Sequence, residues 1–89
     1  MEVSFSDSFK KVFIKRVNSP ELESEFWKRL EIFIENPFDS RLKTHKLSGK
    51  LRNLWSFTIE YDLRLVFYFT KDKPKKAVFI DIGTHDEVY

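Results

Sequence analysis

Two histidines, an arginine and an aspartate are the residues of this 89-residue chain best suited to chemistry. His45 lies in the basic segment Leu42-Lys43-Thr44-His45-Lys46-Leu47-Ser48-Gly49-Lys50, and His85 in the tail Asp81-Ile82-Gly83-Thr84-His85-Asp86-Glu87-Val88-Tyr89. Asp62 and Arg64 fall between them, in Tyr61-Asp62-Leu63-Arg64-Leu65-Val66-Phe67. Imidazole titrates near ~6.5 and can give or take a proton at neutral pH. A guanidinium presents a planar fork that binds two phosphate oxygens at once. Cutting RNA without metal requires such parts: the 2′-hydroxyl as nucleophile, a base for its proton, a cation for the phosphorane charge, and an acid for the leaving 5′-oxygen. In that scheme His85 is the main general acid or base and Arg64 the transition-state clamp. His45 is a second proton-transfer or substrate-orienting group, and Asp62 orients a histidine or acts as a base. Each also has an ordinary alternative: a solvated histidine, an exposed strand arginine, or an aspartate favoured in a turn for its local hydrogen bonds.

Other chemistries lack their parts. The chain has no cysteine, no glycine-rich phosphate loop and no His/Cys cluster at metal spacing, so neither a metal nor a cofactor is expected. No apolar run approaches the ~20 residues of a membrane span, and Met1-Glu2-Val3-Ser4-Phe5 lacks the pattern of a signal peptide. A soluble, cytoplasmic protein is the expectation.

Net charge is only +2, but it is unevenly distributed. Ser40 to Ile59 contains no acid, while Arg41, Lys43, Lys46, Lys50 and Arg52 are all basic. The acids Glu21, Glu23, Glu25, Glu31 and Glu35 precede them. Such separation suggests a polyanion-facing surface, and Lys43, Lys46, Lys50 and Arg52, with the aromatic Tyr89, are the candidate RNA contacts.

The elements that must position these groups follow from periodicity. Val3 and Phe5 alternate with polar residues, as in a short strand. Ser6 or Asp7 can cap a helix carrying Phe9, Val12, Phe13 and Val17 on one face, and Asn18-Ser19-Pro20 interrupts it. Ser19 then caps a second helix with Pro20 in its first turn and an apolar stripe of Leu22, Phe26, Leu30, Phe33 and Ile34, ending before Pro37. From Trp55 the period becomes two: Trp55, Phe57 and Ile59; then Leu63, Leu65, Phe67 and Phe69; then Val78, Ile80 and Ile82. The fold expected is α+β, a two-helix hairpin packed on one face of a small antiparallel sheet, with residues 1–89 forming a single domain. Phe57, Ile59, Leu63, Leu65, Phe67, Ile80 and Ile82 should face the helices, leaving Thr58, Glu60, Arg64, Tyr68, Asp81 and Gly83 on the open face.

The pattern Leu42-Lys43-x-His45-x-Leu47-x-Gly49, Asp62 before an apolar strand, and Gly83-x-His85 before a C-terminal aromatic resembles the RelE/ParE toxin superfamily, especially its YafQ-like mRNA interferase branch. The order of elements is similar too, so the resemblance covers nearly the whole chain. It implies a toxin held by an antitoxin protein, acting as an endoribonuclease on mRNA in the ribosomal A site without metal. In it His45, Asp62 and His85 stand at catalytic positions, Tyr89 at that of a substrate-holding aromatic, and Arg64 at that of a phosphate-contacting arginine. Thr58 stands where the branch has another histidine, and Asp81 where it has an arginine. Asp81 sets negative charge beside the tail unless it pairs with Arg64. The same fold also admits a ParE-like gyrase inhibitor, or a weakened toxin that chiefly binds its antitoxin.

Overall fold

The two long helices begin on serines. In the computed structural model, which describes residues 1–49 and 53–89, Ser6 Oγ accepts from Phe9 N at 3.1 Å and starts α1, Asp7–Arg16. Ser19 Oγ accepts from Leu22 N at 3.1 Å and starts α2, Pro20–Glu35. Each bond satisfies an amide that the first helical turn leaves without a partner. Asp7 in the first turn of α1 and Lys15 and Arg16 in its last turn match the helix dipole. Helix α2 ends at Asn36, before Pro37.

The described residues form five strands: β1 Glu2–Phe5, β2 His45–Lys46, β3 Trp55–Glu60, β4 Leu63–Phe69 and β5 Lys76–Gly83, all but β2 signalled by the periodicity. They lie in the order β1-β5-β4-β3-β2. The expected antiparallel meander is β3-β4-β5, and β2 adds to it antiparallel to β3. The sheet as a whole is mixed, because β1 runs parallel to β5 at the other edge. That pairing sets Phe5 beside Phe79 in register and stacks Phe5 on Phe9, 5.3 Å between ring centroids.

The helices cover one face of the sheet and close an aromatic core. Phe9, Phe26 and Phe33 meet Phe57, Phe67 and Phe79, all six almost wholly buried. Phe33 is central, its ring 5.1 Å from Phe57, 5.0 Å from Phe67 and 5.4 Å from Phe79. Leu42, in the 3₁₀ turn Ser40–Leu42, belongs to this core three residues before His45. Two residues of the expected core face differ. Ile34 is 42% exposed, since the stripe of α2 continues through Ile32 and Phe33 instead. Ile80 is displaced by a bulge: Val66 pairs with Asp81 but Phe67 with Phe79, so Ala77, Phe79 and Ile82 enter the core and Ile80 does not. An extra residue in one strand shifts its alternation by one.

Candidate functional site

The face of the sheet away from the helices gathers the expected residues from four strands and the tail. Antiparallel partners point their side chains to the same side. One row of partners runs His45–Ser56–Val66–Asp81 from β2 to β5, and the next runs Thr58–Arg64–Gly83. Beyond Gly83 the tail forms a short helix, α3, His85–Val88, which turns back over this face. Its last residue, Tyr89, is partly buried there.

Tyr89 is the hub of the site. The His85 ring lies 4.5 Å from the Tyr89 ring and the His45 ring 6.4 Å from it, both edge-on. Arg64 Cζ stands 5.8 Å from the same centroid, within the range of a cation–π contact. The phenol oxygen is hydrogen-bonded to Ser56 Oγ. Two imidazoles and a guanidinium from three separate segments thus converge on one aromatic ring.

Local contacts aim His45 and Arg64. His45 Nδ1 is 3.1 Å from the carbonyl of Lys43, a residue held at φ 54° in the left-handed region. A carbonyl only accepts, so Nδ1 carries the hydrogen and the neutral ring keeps its lone pair on Nε2. Arg64 Nη1 donates to Asp62 Oδ1 at 2.7 Å, which fixes the guanidinium at the hairpin end. Asp62 therefore orients the arginine and not a histidine. Asp81 does not pair with Arg64 either: its Oδ1 accepts from the backbone N–H of Ile82 at 2.8 Å. That bond turns the carboxylate onto its own strand.

The tail is secured at its own helix. Glu87 Oε1 accepts from Thr84 N at 2.8 Å, and Glu87 also pairs with Arg16 at the end of α1. The Thr84 amide, aided by Arg16, holds the Glu87 carboxyl below its ordinary value. Gly83 allows α3 to approach the sheet closely. A Cβ on Gly83 would stand 3.0 Å from Glu87 Oε1 and 3.1 Å from both Glu87 Cβ and Val88 Cγ1. Gly83→Ala is accordingly expected to push α3 off the sheet at a cost of about 1–3 kcal/mol, the usual range for overpacking. Amide chemical shifts should then change from Thr84 to Tyr89 and in β4, with the helical layer unmoved; shifts equal to wild type would contradict the packing described.

The basic segment is only partly free to meet an anion. Arg41 is held by Asp39 through two bonds of 2.9 Å, and this contact lowers the Asp39 carboxyl to about 2. The pair is therefore ionised at neutral pH and separates only as the pH falls through that value. Lys43 and Lys46 are exposed and flank His45 along the chain, Lys46 at the register position opposite Trp55. Lys50 and Arg52 lie outside the described residues. Among the described residues no group of three His, Cys, Asp or Glu side chains could hold a metal ion, and no helix is long and apolar enough to cross a membrane.

Sequence reasoning missed Ser56. The alternation of β3 put it on the open face with Thr58, but a serine between Trp55 and Phe57 carries no signal that it is buried or bonded to the last residue.

Two helices packed on a mixed five-stranded sheet is the architecture of small RelE-like toxins. The YoeB/ParE toxin from Agrobacterium tumefaciens superposes with a TM-score of 0.74 at 18% identity, covering 96% of this chain and 99% of that one. YafQ from E. coli gives 0.75 at 17%, covering 99% and 97%. YafQ in the E. coli DinJ–YafQ complex gives 0.68 at 19%, covering 99% and 97%. No curated protein sequence matches the chain. The family model described as the bacterial toxin of type II toxin–antitoxin systems, YafQ, matches residues 1–89, and the chain belongs to that family.

Proposed function

We propose that residues 1–89 act as one domain that cuts mRNA in the ribosomal A site by metal-independent attack of the 2′-hydroxyl, in the cytoplasm, under the control of an antitoxin protein. The observation that carries this reading is the convergence of His45, His85 and Arg64 on the Tyr89 ring. His45 Nε2, left with its lone pair by the Lys43 carbonyl, takes the proton of the 2′-hydroxyl. The 2′-oxygen attacks the adjacent phosphorus, and Arg64, steadied by Asp62, balances the charge of the phosphorane. His85 gives its proton to the leaving 5′-oxygen. The products are a 2′,3′-cyclic phosphate and a 5′-hydroxyl. Tyr89 offers a face against which a nucleobase can stack, an interaction worth ~1–3 kcal/mol per base.

Incubating purified protein with programmed ribosomes tests the proposal. Cleavage of the bound message is expected; intact transcripts, together with stoichiometric inhibition of gyrase supercoiling, would transfer the protein to the gyrase-inhibitor reading. The DinJ–YafQ complex of E. coli supports a protein partner. The basic segment beside His45 suits an acidic stretch of such an antitoxin, competing with RNA for Lys43 and Lys46.

Those two lysines carry a second expectation. Each phosphate neutralised on single-stranded RNA contributes about −0.7 to the slope of log K against log salt. Replacing Lys43 and Lys46 by alanine should make that slope shallower by about 1.4 in an oligonucleotide titration. An unchanged slope would remove them from the RNA path.

A further inference from the structure

The geometry points to Ser56 as a positioning residue that holds Tyr89, by its phenol oxygen, between the two histidines and Arg64. Ser56 has no exposed surface and is the one buried polar side chain among the described residues. A buried hydroxyl without a partner is costly, and Ser56 finds its partner in Tyr89, 33 residues away. Its place is equally specific. Ser56 pairs with His45 on one side and Val66 on the other, at the centre of the row that forms the floor of the site.

This bond has a chemical consequence. Tyr89 is tied to the sheet by its hydroxyl and to α3 by its backbone N–H, which donates to the His85 carbonyl at 3.1 Å. With the hydroxyl bonded to Ser56, Tyr89 meets the histidines and Arg64 through its ring. The ring in turn sets where the His45 and His85 imidazoles and the Arg64 guanidinium stand relative to one another. Ser56 therefore acts on the site through Tyr89, and a phenylalanine at position 89 would leave Ser56 as an orphaned buried hydroxyl.

The inference rests on the proposed cutting function only for its kinetic arm; its first test is spectroscopic. An aromatic ring displaces the NMR signals of nearby protons, so the His45 and His85 imidazole signals of the wild-type protein should lie away from free-histidine positions. Ser56→Ala and Tyr89→Phe should each move both sets of signals toward those positions, and the double variant should move them no further than either single one. In the cleavage assay Ser56→Ala should lose roughly tenfold in kcat/KM, about what one hydrogen bond of ordinary net strength can supply. A Ser56→Ala protein with a lowered melting point but unmoved imidazole signals would make Ser56 structural only and overturn the proposal. Should Ser56→Ala fail to fold, Tyr89→Phe decides, because it removes the same bond from the partly exposed side. A wild-type protein that cuts no RNA would defeat the proposed function and still leave the imidazole signals to settle the role of Ser56.

Discussion

His85→Gln is expected to lower RNA cleavage by about 10²–10⁴-fold, the usual range for losing a positioned general acid or base. Glutamine keeps a polar side chain of similar reach but cannot transfer a proton near neutrality. His85 is exposed on the first turn of α3, and it joins the helix through its backbone carbonyl, which accepts from Tyr89 N at 3.1 Å. The fold and the antitoxin complex should therefore survive the change. His45→Gln should behave similarly, since in the proposed reaction the two imidazoles serve opposite ends, and the double variant should fall by less than the product of the single losses. A His85→Gln enzyme within threefold of wild type would exclude it as the proton donor and shift attention to Arg64.

The second large effect is on stability. Phe33→Ala should destabilise the protein by ~3–5 kcal/mol, the range for deleting a buried aromatic ring. Phe33 has no exposed surface, and three other buried phenylalanine rings lie within 5.4 Å of its centroid. These rings join α2 to β3, β4 and β5, the strands that carry Ser56, Arg64 and Asp81. Against a total of about 5–15 kcal/mol for an ordinary domain, such a loss is a large fraction. Urea titration followed by circular dichroism should show a clearly lower midpoint, while Phe33→Leu should recover part of it. A change below about 1 kcal/mol would mean that neighbouring rings collapse into the space.

The helices were legible because their signals are local. Ser6 and Ser19 followed by apolar residues at helical spacing, with Pro20 in the first turn, specify caps without reference to the rest of the chain. The meander was legible for the same reason, since alternation from Trp55 to Phe69 fits only one period. The parallel docking of β1 was not, because a four-residue strand does not encode a partner more than seventy residues away. The bulge at Ile80 was hidden by a regular Val78, Ile80, Ile82 pattern that the register breaks. In the site, residue types marked His45, His85 and Arg64, and the structure brings them together around Tyr89. The partners were what the sequence concealed. Asp62 turns to Arg64, Asp81 to its own strand, and Ser56 to Tyr89; such pairings depend on angles and register that residue types do not encode.

The chemistry of the cut ends tests the central claim most directly. Message cleaved in programmed ribosomes by the wild-type protein should carry a 2′,3′-cyclic phosphate on the upstream fragment and a 5′-hydroxyl on the downstream one, and neither fragment should form with His85→Gln. Fragments ending in a 3′-hydroxyl and a 5′-phosphate, or a message left whole, would contradict attack by the 2′-hydroxyl at the site formed by His45, Arg64 and His85.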